Sequence, residues 1–390
     1  MTPTQIAELM SGHLATAGDG RVEAYLPSPV VQNHAAFLSQ FEDGTLVCLW
    51  FGGTIEGQSD ISIYGSTLPP GADEWSPAVQ LSFDAARSEQ NPVLVKALSG
   101  RWRLFHTAQP AGNQDECLLR VRDISLRDGI LTGGEPSTLD LPRGTFVRAG
   151  FVRRSDDAWM MPVFRCVSRP GQRWNGSFDT AGVSVSTDDG ATWALSEVPE
   201  SIGSVHMTIV PLDGDTMVAF YRRRQSDFVH RSESVDGGRT WSAPAPTDVP
   251  NNNSSINAVG LADGRIALVC NPSSAATSSE RRLSLYEEIK AGDDRPDATG
   301  GCTPIWGVPR APLTLCISSD DGLTFPVRRI VDDSAGTCLS NNSLDGRNKE
   351  LSYPFVFEDA DGVLHIAYTY FRRAIKYVRL PRGWGDGVVA

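Results

Sequence analysis

Six polar residues stand at matching positions of a repeat that recurs roughly every 50 to 60 residues. They lie at the start of the first strand of each copy: His34, Asn91, Arg148, His206, Asn257 and Tyr353. Histidine and tyrosine can transfer protons, and arginine can hold an anion with two parallel hydrogen bonds. A strand that faces a protein core is normally apolar, so packing alone does not explain polar residues at these six positions. The pattern predicts that these side chains converge on a ligand.

A second set of polar residues follows the second strand of each copy and is rich in arginine. Its members are Glu56, Asp60, His106, Arg120, Arg165, Arg222, Tyr370 and Arg372. Several guanidinium groups near one pocket are suited to a carboxylate, which their planar forks bind in a bidentate manner. The neighbouring arginines are instead expected to form surface ion pairs with some of the 47 acidic residues: Arg223, Arg224 and Arg373.

Each copy of the repeat reads as a strand, a turn usually built on Asp-Gly, and a second apolar strand. The six turns are Asp43-Gly44, Ser99-Gly100, Asp156-Asp157, Asp213-Gly214, Asp263-Gly264 and Asp361-Gly362. The second strands are expected at 46–51, 102–106, 159–165, 217–222, 266–271 and 364–370. We predict a six-bladed β-propeller with four strands in each blade. The segment 22–25 is expected to complete the last blade, so that no sheet edge stays open.

The pattern Ser-x-Asp-x-Gly-x-Thr-Trp/Phe occurs three times, at 186–193, 234–241 and 318–325. The Asp side chain can accept hydrogen bonds from turn amides, the Gly can adopt a positive φ, and the aromatic residue can pack between sheets. A turn that recurs in several blades cannot be a unique active site. These boxes therefore indicate the fold, and the chemistry must lie elsewhere.

The boxes resemble the Asp-boxes of the sialidase-type (BNR-repeat) β-propellers, and the resemblance covers nearly the whole chain, from 25 to 380. Segments similar to the neuraminidase-like branch are Gln32-Asn33-His34-Ala35-Ala36, 50–57, 250–255 and Glu350-Leu351-Ser352-Tyr353-Pro354. The resemblance implies one all-β propeller domain spanning 1–390 and a carbohydrate-active enzyme. True sialidases carry Arg-Ile-Pro on the first inner strand, where this chain has Asn33-His34-Ala35.

The chain is also similar to propeller lyases that act on uronic acids, including those that release rhamnose from glucuronate. Such lyases remove the proton beside the uronate carboxylate and expel the oxygen at C4. The leading hypothesis is therefore an enzyme that cleaves an acidic oligosaccharide from its end by β-elimination, without a metal or cofactor. The catalytic residues this implies are His34, His106, His206, Tyr353 and Arg148. The substrate-binding residues it implies are Glu56, Asp60, Arg120, Arg165, Arg222, Asn257, Glu350 and Arg372.

Two alternatives stay open. In a retaining sialidase-type hydrolase, Arg148, Arg222 and a residue near Arg372 would bind the carboxylate. Tyr353 with Glu350 would form the nucleophile pair, and Asp60 or Glu56 would be the acid. In a sugar-binding propeller without activity, the same pocket would hold a glycan and never turn it over.

Composition limits the other function classes. The net charge of −12 argues against nucleic acid or an anionic membrane as a partner. Seven scattered cysteines without a Cys-x-x-Cys pair argue against a disulfide framework and a zinc site. No run of apolar residues is long enough to cross a membrane, and the first residues do not resemble a secretion signal, so we expect a cytoplasmic protein.

Two segments fall outside the repeat. Residues 1–20 are expected to contain a short helix. The fifth copy carries an insertion at 272–310, in which 279–290 has helical spacing of apolar residues. The insertion is expected to be a lid, an oligomer contact or surface decoration, and the sequence does not separate these.

Overall fold

The structure, a computed structural model, describes residues 3–281, 294–338 and 348–386. Within these ranges the strands form six antiparallel sheets of four or five strands each. In five of these sheets the main path runs in chain order from the innermost strand outwards, and in the sixth two strands from the N-terminal region lie outermost. This arrangement is the predicted six-bladed β-propeller, whose blades are numbered I to VI from their position in the sequence.

The strands have the following bounds. Blade I contains β3 (Gln32–Gln40), β4 (Leu46–Gly53), β5 (Ser62–Leu68) and β6 (Val79–Gln80). Blade II contains β7 (Ser88–Lys96), β8 (Trp102–Gln109), β9 (Leu118–Arg127), β10 (Ile130–Gly133) and β11 (Ser137–Thr138). Blade III contains β12 (Thr145–Val147), β13 (Val152–Arg153), β14 (Trp159–Arg165), β15 (Thr180–Ser186) and β16 (Ala194–Glu197).

The second half continues the pattern. Blade IV contains β17 (Ser204–Pro211), β18 (Met217–Arg223), β19 (Phe228–Ser234) and β20 (Ala245–Pro250). Blade V contains β21 (Asn257–Gly260), β22 (Ile266–Cys270), β23 (Leu313–Ser318) and β24 (Val327–Asp332). Blade VI contains β25 (Leu351–Glu358), β26 (Leu364–Tyr370), β27 (Ala374–Leu380), β2 (Val22–Tyr25) and β1 (Ala15–Thr16). Short 3₁₀ turns occur at Gln114–Glu116 and Trp384–Asp386.

The ring is closed by a strand from the N-terminal region. Strand β2 pairs antiparallel with β27, with Val22 opposite Arg379 and Tyr25 opposite Lys376. This pairing confirms the prediction for 22–25. It joins the two chain ends in blade VI, and the edge of β27 is thereby covered.

Apolar side chains fill the space between neighbouring blades. One cluster contains Phe37, Phe105, Met161 and Phe355, which come from blades I, II, III and VI. Since every blade packs on the next through such contacts, the inner strands are held rigidly around the axis. The residues at their ends are therefore fixed in position by the whole ring.

The three boxes form nearly identical turns between the last two strands of blades III, IV and V. In the first box, Ser186 Oγ accepts from the Gly190 amide at 2.8 Å. The Asp188 carboxylate accepts from the amide and the hydroxyl of Thr192 at 2.9 and 2.6 Å. The other two boxes repeat these bonds at 2.6–2.9 Å. All of these bonds lie within the turn, which confirms the structural role of the boxes.

The helical predictions are corrected at the N-terminus. The helix α1 covers only Pro3–Leu9, and β1 begins at Ala15, so the helical part of 1–20 is shorter than expected. Most of the predicted helix at 279–290 lies outside the described residues. No helix in the described ranges is long and apolar enough to span a membrane.

Candidate active site

Four inner strands share a backbone irregularity at the end that faces the central funnel. The residues Ala35, Asn91, His206 and Tyr353 have φ values of 61°, 53°, 52° and 53°. A shift of strand register accompanies each of them. Such a bulge re-aims a side chain, and a non-glycine residue at positive φ costs about 1–3 kcal/mol. The repetition of this strain indicates that the bulges serve the site.

Tyr353 lies at the centre of the site. Its hydroxyl accepts a hydrogen bond from Arg222 Nη1 at 2.7 Å. The guanidinium carbons of Arg148, Arg222 and Arg310 lie 5.6, 5.7 and 5.6 Å from the centre of its ring. The electron-rich ring face attracts these cations. Tyr353 therefore acts as the hub around which three arginines gather.

His206 occupies the same bulge position in blade IV. Its Nε2 lies 3.3 Å from Arg222 Nη1, and its Nδ1 lies 2.9 Å from Ser255 Oγ. Because a guanidinium only donates, Nε2 is the acceptor and Nδ1 holds the proton that bonds to Ser255. Burial, and next the charge of Arg222, hold the pKa of His206 well below its usual range. The imidazole is therefore neutral and has a lone pair directed into the site.

His34 packs against the other side of Tyr353, with ring centres 4.2 Å apart. Its Nδ1 lies 2.8 Å from Thr369 Oγ1. Its Nε2 is buried and has no hydrogen-bond partner among the described residues. Burial, followed by the charge of Arg372, keeps the pKa of His34 well below its usual range, so this imidazole is neutral too.

A buried carboxylate, Glu350, holds two further arginines. It accepts from Arg310 Nη1 at 2.9 Å and from Arg372 Nε at 3.0 Å, and Ser352 Oγ donates to it at 2.6 Å. Arg372 also bonds to Glu56. Burial favours the neutral acid, but Arg372 and then Arg310 outweigh it and hold the pKa of Glu350 well below its usual range. Two cations and two carboxylates thus balance each other here.

The charges of Arg148 and Arg222 are not balanced by a carboxylate of the described residues. No carboxylate oxygen in the described ranges lies within 4.0 Å of either guanidinium. Arg148 donates to the carbonyl oxygens of Tyr353 and Pro354 at 3.1 and 3.2 Å, and Arg222 Nε donates to Asn253 Oδ1 at 2.8 Å. Burial lowers the pKa of each to about 10. Both remain charged at neutral pH.

Several N–H groups of Arg148 and Arg222 also lack a hydrogen-bond acceptor among the described residues. Among the described residues, Arg148 Nε and Nη1 and Arg222 Nη2 are buried without an acceptor. A buried donor without a partner is costly, and a buried charge more so. The arrangement can therefore bind an anion whose oxygens would satisfy both needs.

These groups surround a narrow pocket at the mouth of the funnel. It contains about 20 Å³ of water-accessible space, or about 340 Å³ with its open mouth. Its walls are formed by Glu56, Gln90, Asn91, Gln114, Phe146, Phe164, His206, Arg222, Arg224 and Tyr353. A larger cavity of about 460 Å³ lies at the opposite end of blades V and VI, beside the turns at Asp263 and Asp361.

The arrangement of a Tyr hub, neutral histidines and unbalanced arginines inside a six-bladed ring can be compared with known proteins. The model of the BNR repeat-like domain matches residues 44–366. The chain belongs to the BNR repeat-like domain family. No curated protein sequence matches it.

Several solved structures have a fold similar to that of this chain. The Hadza microbial sialidase Hz136 has 14% identity and a TM-score of 0.64, with 89% of this chain and 65% of that chain covered. The K499G mutant of NanB sialidase from Streptococcus pneumoniae has 12% identity and a TM-score of 0.64, with 97% and 72% covered. A protein of unknown function from Dyadobacter fermentans has 15% identity and a TM-score of 0.63, with 92% and 97% covered.

These neighbours establish a sialidase-like propeller fold for this BNR protein. The chain spans about two thirds of the length of the Hadza microbial sialidase, with 65% of that chain covered. Identities of 12–15% show the fold alone.

The BNR propeller brings together eight of the residues predicted from the sequence. They are His34, Glu56, Arg148, His206, Arg222, Glu350, Tyr353 and Arg372. Each of them contacts Tyr353, Arg222 or the Glu350 carboxylate, directly or through one other member of the group. The chemical roles predicted for these residues stay predictions.

His106 and Arg120 lie in a separate buried cluster between blades I and II. His106 Nε2 accepts from Arg122 Nε at 3.4 Å, and burial, followed by the charge of Arg122, lowers the pKa of His106 to about 3. Arg120 contacts Glu89 at 3.1 Å and Asp84 at 2.6 Å. No contact in the described ranges joins this cluster to Tyr353.

The remaining three predicted residues have partners elsewhere. Asp60 is exposed and accepts from the Thr54 amide at 2.9 Å. Arg165 lies 3.6 Å from Glu197. Asn257 Oδ1 accepts from the Val356 amide at 2.9 Å and so ties blade V to blade VI. We find these three outside the group around Tyr353.

Two expectations about arginines are wrong. Arg223 and Arg224 were expected on the surface, but both are buried. Arg224 forms two hydrogen bonds with Asp179 Oδ2, at 2.9 and 2.6 Å, and lies on the pocket wall. Arg373 is half-buried. The sequence does not show the burial of Arg224 because its partner, Asp179, is 45 residues away. Arg223 does lie 3.5 Å from an acidic residue, Asp227, so only its exposure was wrong.

Sequence reasoning also missed Arg310. In the sequence Arg310 is the last residue of the insertion and directly precedes the mostly apolar segment 311–317, which is the only local signal of its burial. In the structure its guanidinium bonds to Glu350 and faces Tyr353. Arg310 thus belongs to the site.

Proposed function

We propose that this BNR propeller cleaves the glycosidic bond beside a uronic acid in an acidic oligosaccharide, by β-elimination. The observation that carries this proposal is the pair of buried guanidinium groups, Arg148 and Arg222, which face Tyr353 without a carboxylate partner. A sialidase-like propeller fold supports a sugar as the ligand. The unbalanced charge supports an acidic one.

A substrate carboxylate would supply what both arginines lack. Its oxygens would accept from the unused N–H groups of Arg148 and Arg222, and its charge would balance theirs in a site with little water. In contrast, Arg310 and Arg372 already have Glu350 and Glu56 as partners. We infer that Arg310 and Arg372 hold the site together, whereas Arg148 and Arg222 bind the substrate.

The reaction has a balanced set of proton transfers. A base takes the proton on C5 of the uronate, and its electron pair forms the C4–C5 double bond. The C4–O bond then breaks with its electron pair on the leaving oxygen, which takes a proton. The negative charge that builds up on the carboxylate during proton removal would be stabilised by Arg148 and Arg222.

Two side chains suit these transfers. The neutral imidazole of His206 lines the pocket, and its Nε2 lone pair, which accepts from Arg222 in the free protein, could take the C5 proton once the substrate carboxylate replaces it as the acceptor of Arg222. The Tyr353 hydroxyl oxygen accepts from Arg222, so its own proton is available for the leaving oxygen. His34 packs on Tyr353 and is placed to position the ring.

The proposal is tested by ultraviolet absorbance of the unsaturated uronate during incubation with uronate-containing oligosaccharides. Sugar release is measured in parallel. Rising absorbance together with release is expected for wild type and should fall about 100-fold or more in Arg222→Gln, which loses the charge that stabilises the intermediate. Glu233→Gln is a matched control because Glu233 forms an exposed ion pair with Arg231 on blade IV. Release without absorbance would overturn β-elimination.

A retaining hydrolase is the second candidate, because two of the neighbouring structures are sialidases. That mechanism requires a carboxylate beside the nucleophilic tyrosine. The Tyr353 hydroxyl bonds to Arg222, however, whereas Glu350 is held by Arg310, Arg372 and Ser352. Release of sialic acid from sialosides, lost in Tyr353→Phe, would favour this candidate. Binding of sugars without release of any product would favour the third hypothesis, a binding module.

A further inference from the structure

The described end of the blade V insertion, residues 294–310, runs across the funnel side of the propeller and is called the strap. It leaves blade V and reaches the loop of blade III that follows β14. There the Arg173 amide donates to the Pro296 carbonyl at 2.7 Å, and the Ala298 amide donates to the Arg173 carbonyl at 3.1 Å. The Arg173 guanidinium also holds Asp297 at 2.7 and 2.8 Å. The strap and this loop thus pair like short parallel strands.

The strap contacts other blades along its course. Arg295 lies 3.6 Å from Asp115 of blade II. The Ile305 amide donates to the Arg224 carbonyl of blade IV at 2.7 Å, and Arg310 at the far end bonds to Glu350 beside blade VI. One segment therefore bridges the rim from blade II to blade VI. It passes over blades III, IV and V.

The strap also builds a wall of the pocket. The guanidinium carbon of Arg224 lies 5.1 Å from the ring centre of Trp306 in the strap and 5.7 Å from that of Trp174 in the blade III loop. Arg224 in turn lines the pocket beside His206 and Arg222. Its charge is balanced by Asp179, so it has no need of a substrate carboxylate. The wall is thus shaped by aromatic packing that depends on the strap.

We propose that the strap restricts this pocket to the terminal residue of an acidic glycan. A sugar bound from the middle of a chain must leave the pocket in two directions. The strap lies along the rim over blades III to V, so the rest of the chain would have to leave over blades VI, I and II. This inference rests on the proposed function for its ligand. It assigns the specificity for chain ends to the contact between the strap and the blade III loop.

One glycine makes this contact testable. Gly301 has φ +70°, and a Cβ placed on it would overlap the carbonyl group of Ser177 in the blade III loop. The Cys302 amide donates to that same carbonyl at 2.9 Å. Gly301→Ala should therefore push the strap away from the loop. Gly300→Ala is the matched control, because Gly300 also has a positive φ but its Cβ would make only ordinary contacts, with Phe178 at 3.5 Å and Arg169 at 3.9 Å.

Two measurements on the full chain decide the proposal. Hydrogen–deuterium exchange at 294–303 and 172–178 should rise in Gly301→Ala and change less in Gly300→Ala. Calorimetry compares the Kd of glucuronic acid with that of an oligosaccharide whose glucuronate is flanked on both sides. Wild type and Gly300→Ala should prefer the monosaccharide. In Gly301→Ala this preference should shrink about tenfold, which corresponds to ~1.4 kcal/mol.

Other outcomes would overturn the proposal. Unchanged exchange in Gly301→Ala would mean that the contact at Ser177 does not hold the strap. Raised exchange with an unchanged Kd ratio would mean that the strap does not exclude longer chains. Failure of the proposed function has different signatures. If neither sugar bound to wild type or to either variant, the acidic ligand would be wrong and the strap's role would be refuted with it. If both sugars bound but no unsaturated uronate formed, only the proposed reaction would be wrong.

Discussion

The four arginines around Tyr353 and Glu350 form two pairs that share a residue type and nearly complete burial but differ in their partners. Arg310 and Arg372 contact the carboxylates of Glu350 and Glu56. Arg148 and Arg222 contact only neutral oxygens and His206. The first pair completes a network inside the protein, and the second leaves charge for something else to balance. Burial and residue type alone therefore do not separate a structural arginine from a ligand-binding one.

The largest effect on stability is expected when Arg310 and Arg372 lose a carboxylate partner. Glu350→Gln would leave two buried guanidinium groups with one carboxylate between them, and removing one partner of a buried ion pair costs about 3–5 kcal/mol. Urea unfolding of wild type and variant measures this difference. Glu233→Gln, at an exposed pair, should change stability by less than about 0.5 kcal/mol. A loss below about 1 kcal/mol for Glu350→Gln would contradict the distinction between the pairs.

Arg148→Met should weaken ligand binding but leave stability nearly unchanged. It removes a buried charge whose bonds go only to carbonyl oxygens, so the unfolding free energy should stay within about 1 kcal/mol of wild type. Affinity for glucuronic acid should nevertheless fall about 100-fold, measured by calorimetry. Arg310→Met provides the contrast, because it should lose stability by leaving Glu350 with fewer donors. Equal losses of stability in both variants would remove the basis for treating Arg148 as a ligand-binding residue.

Acid should weaken the fold through the buried histidines. The unfolded chain binds a proton at each histidine below about pH 6.5, whereas His34 and His206 stay neutral in the fold because burial lowers their pKa. Stability should therefore fall as pH drops from 6.5 towards the folded pKa, by up to about 1.4 kcal/mol per pH unit for each histidine. In His206→Gln the slope between pH 6 and 5 should be smaller by about this amount. An unchanged slope would show that His206 is protonated in the fold.

The smallest effect is expected at a box. Asp236 accepts several hydrogen bonds, as Glu350 does, but it lies in a surface turn where water can replace its partners. Asp236→Asn keeps part of these bonds, and the loss should be below about 1 kcal/mol by urea unfolding. Glycan binding should be unaffected. A loss as large as that of Glu350→Gln would mean that the box does more than shape a turn.

The sequence predicted the parts of the fold that depend on local patterns. The boxes, the Asp-Gly turns and the six inner hairpins are all set by residues within about ten positions of one another, and all were found. The closing strand at 22–25 was also predicted, because a ring of blades leaves one edge that needs a partner. Local propensity and the need to cover that edge were sufficient for these features.

The site depended on information that one sequence does not display. In blade I the bulge falls on Ala35 and not on His34, since it is fixed by the register between β3 and β4. The burial of Arg224 depends on Asp179 and on Trp306 of the strap. Polarity indicated which residues are functional candidates, whereas only the folded ring shows which charges are already balanced.

The pairing of β2 with β27 also constrains how the chain folds. Its partners are about 350 residues apart, and bringing such distant segments together costs ~5 kcal/mol of chain entropy before any contact forms. During synthesis, β2 leaves the ribosome first and must wait unpaired until blade VI has been made. Closure of the ring is therefore expected to be a late step. A circular permutant that places β2 directly after β27 would make this slow, long-range step a local one.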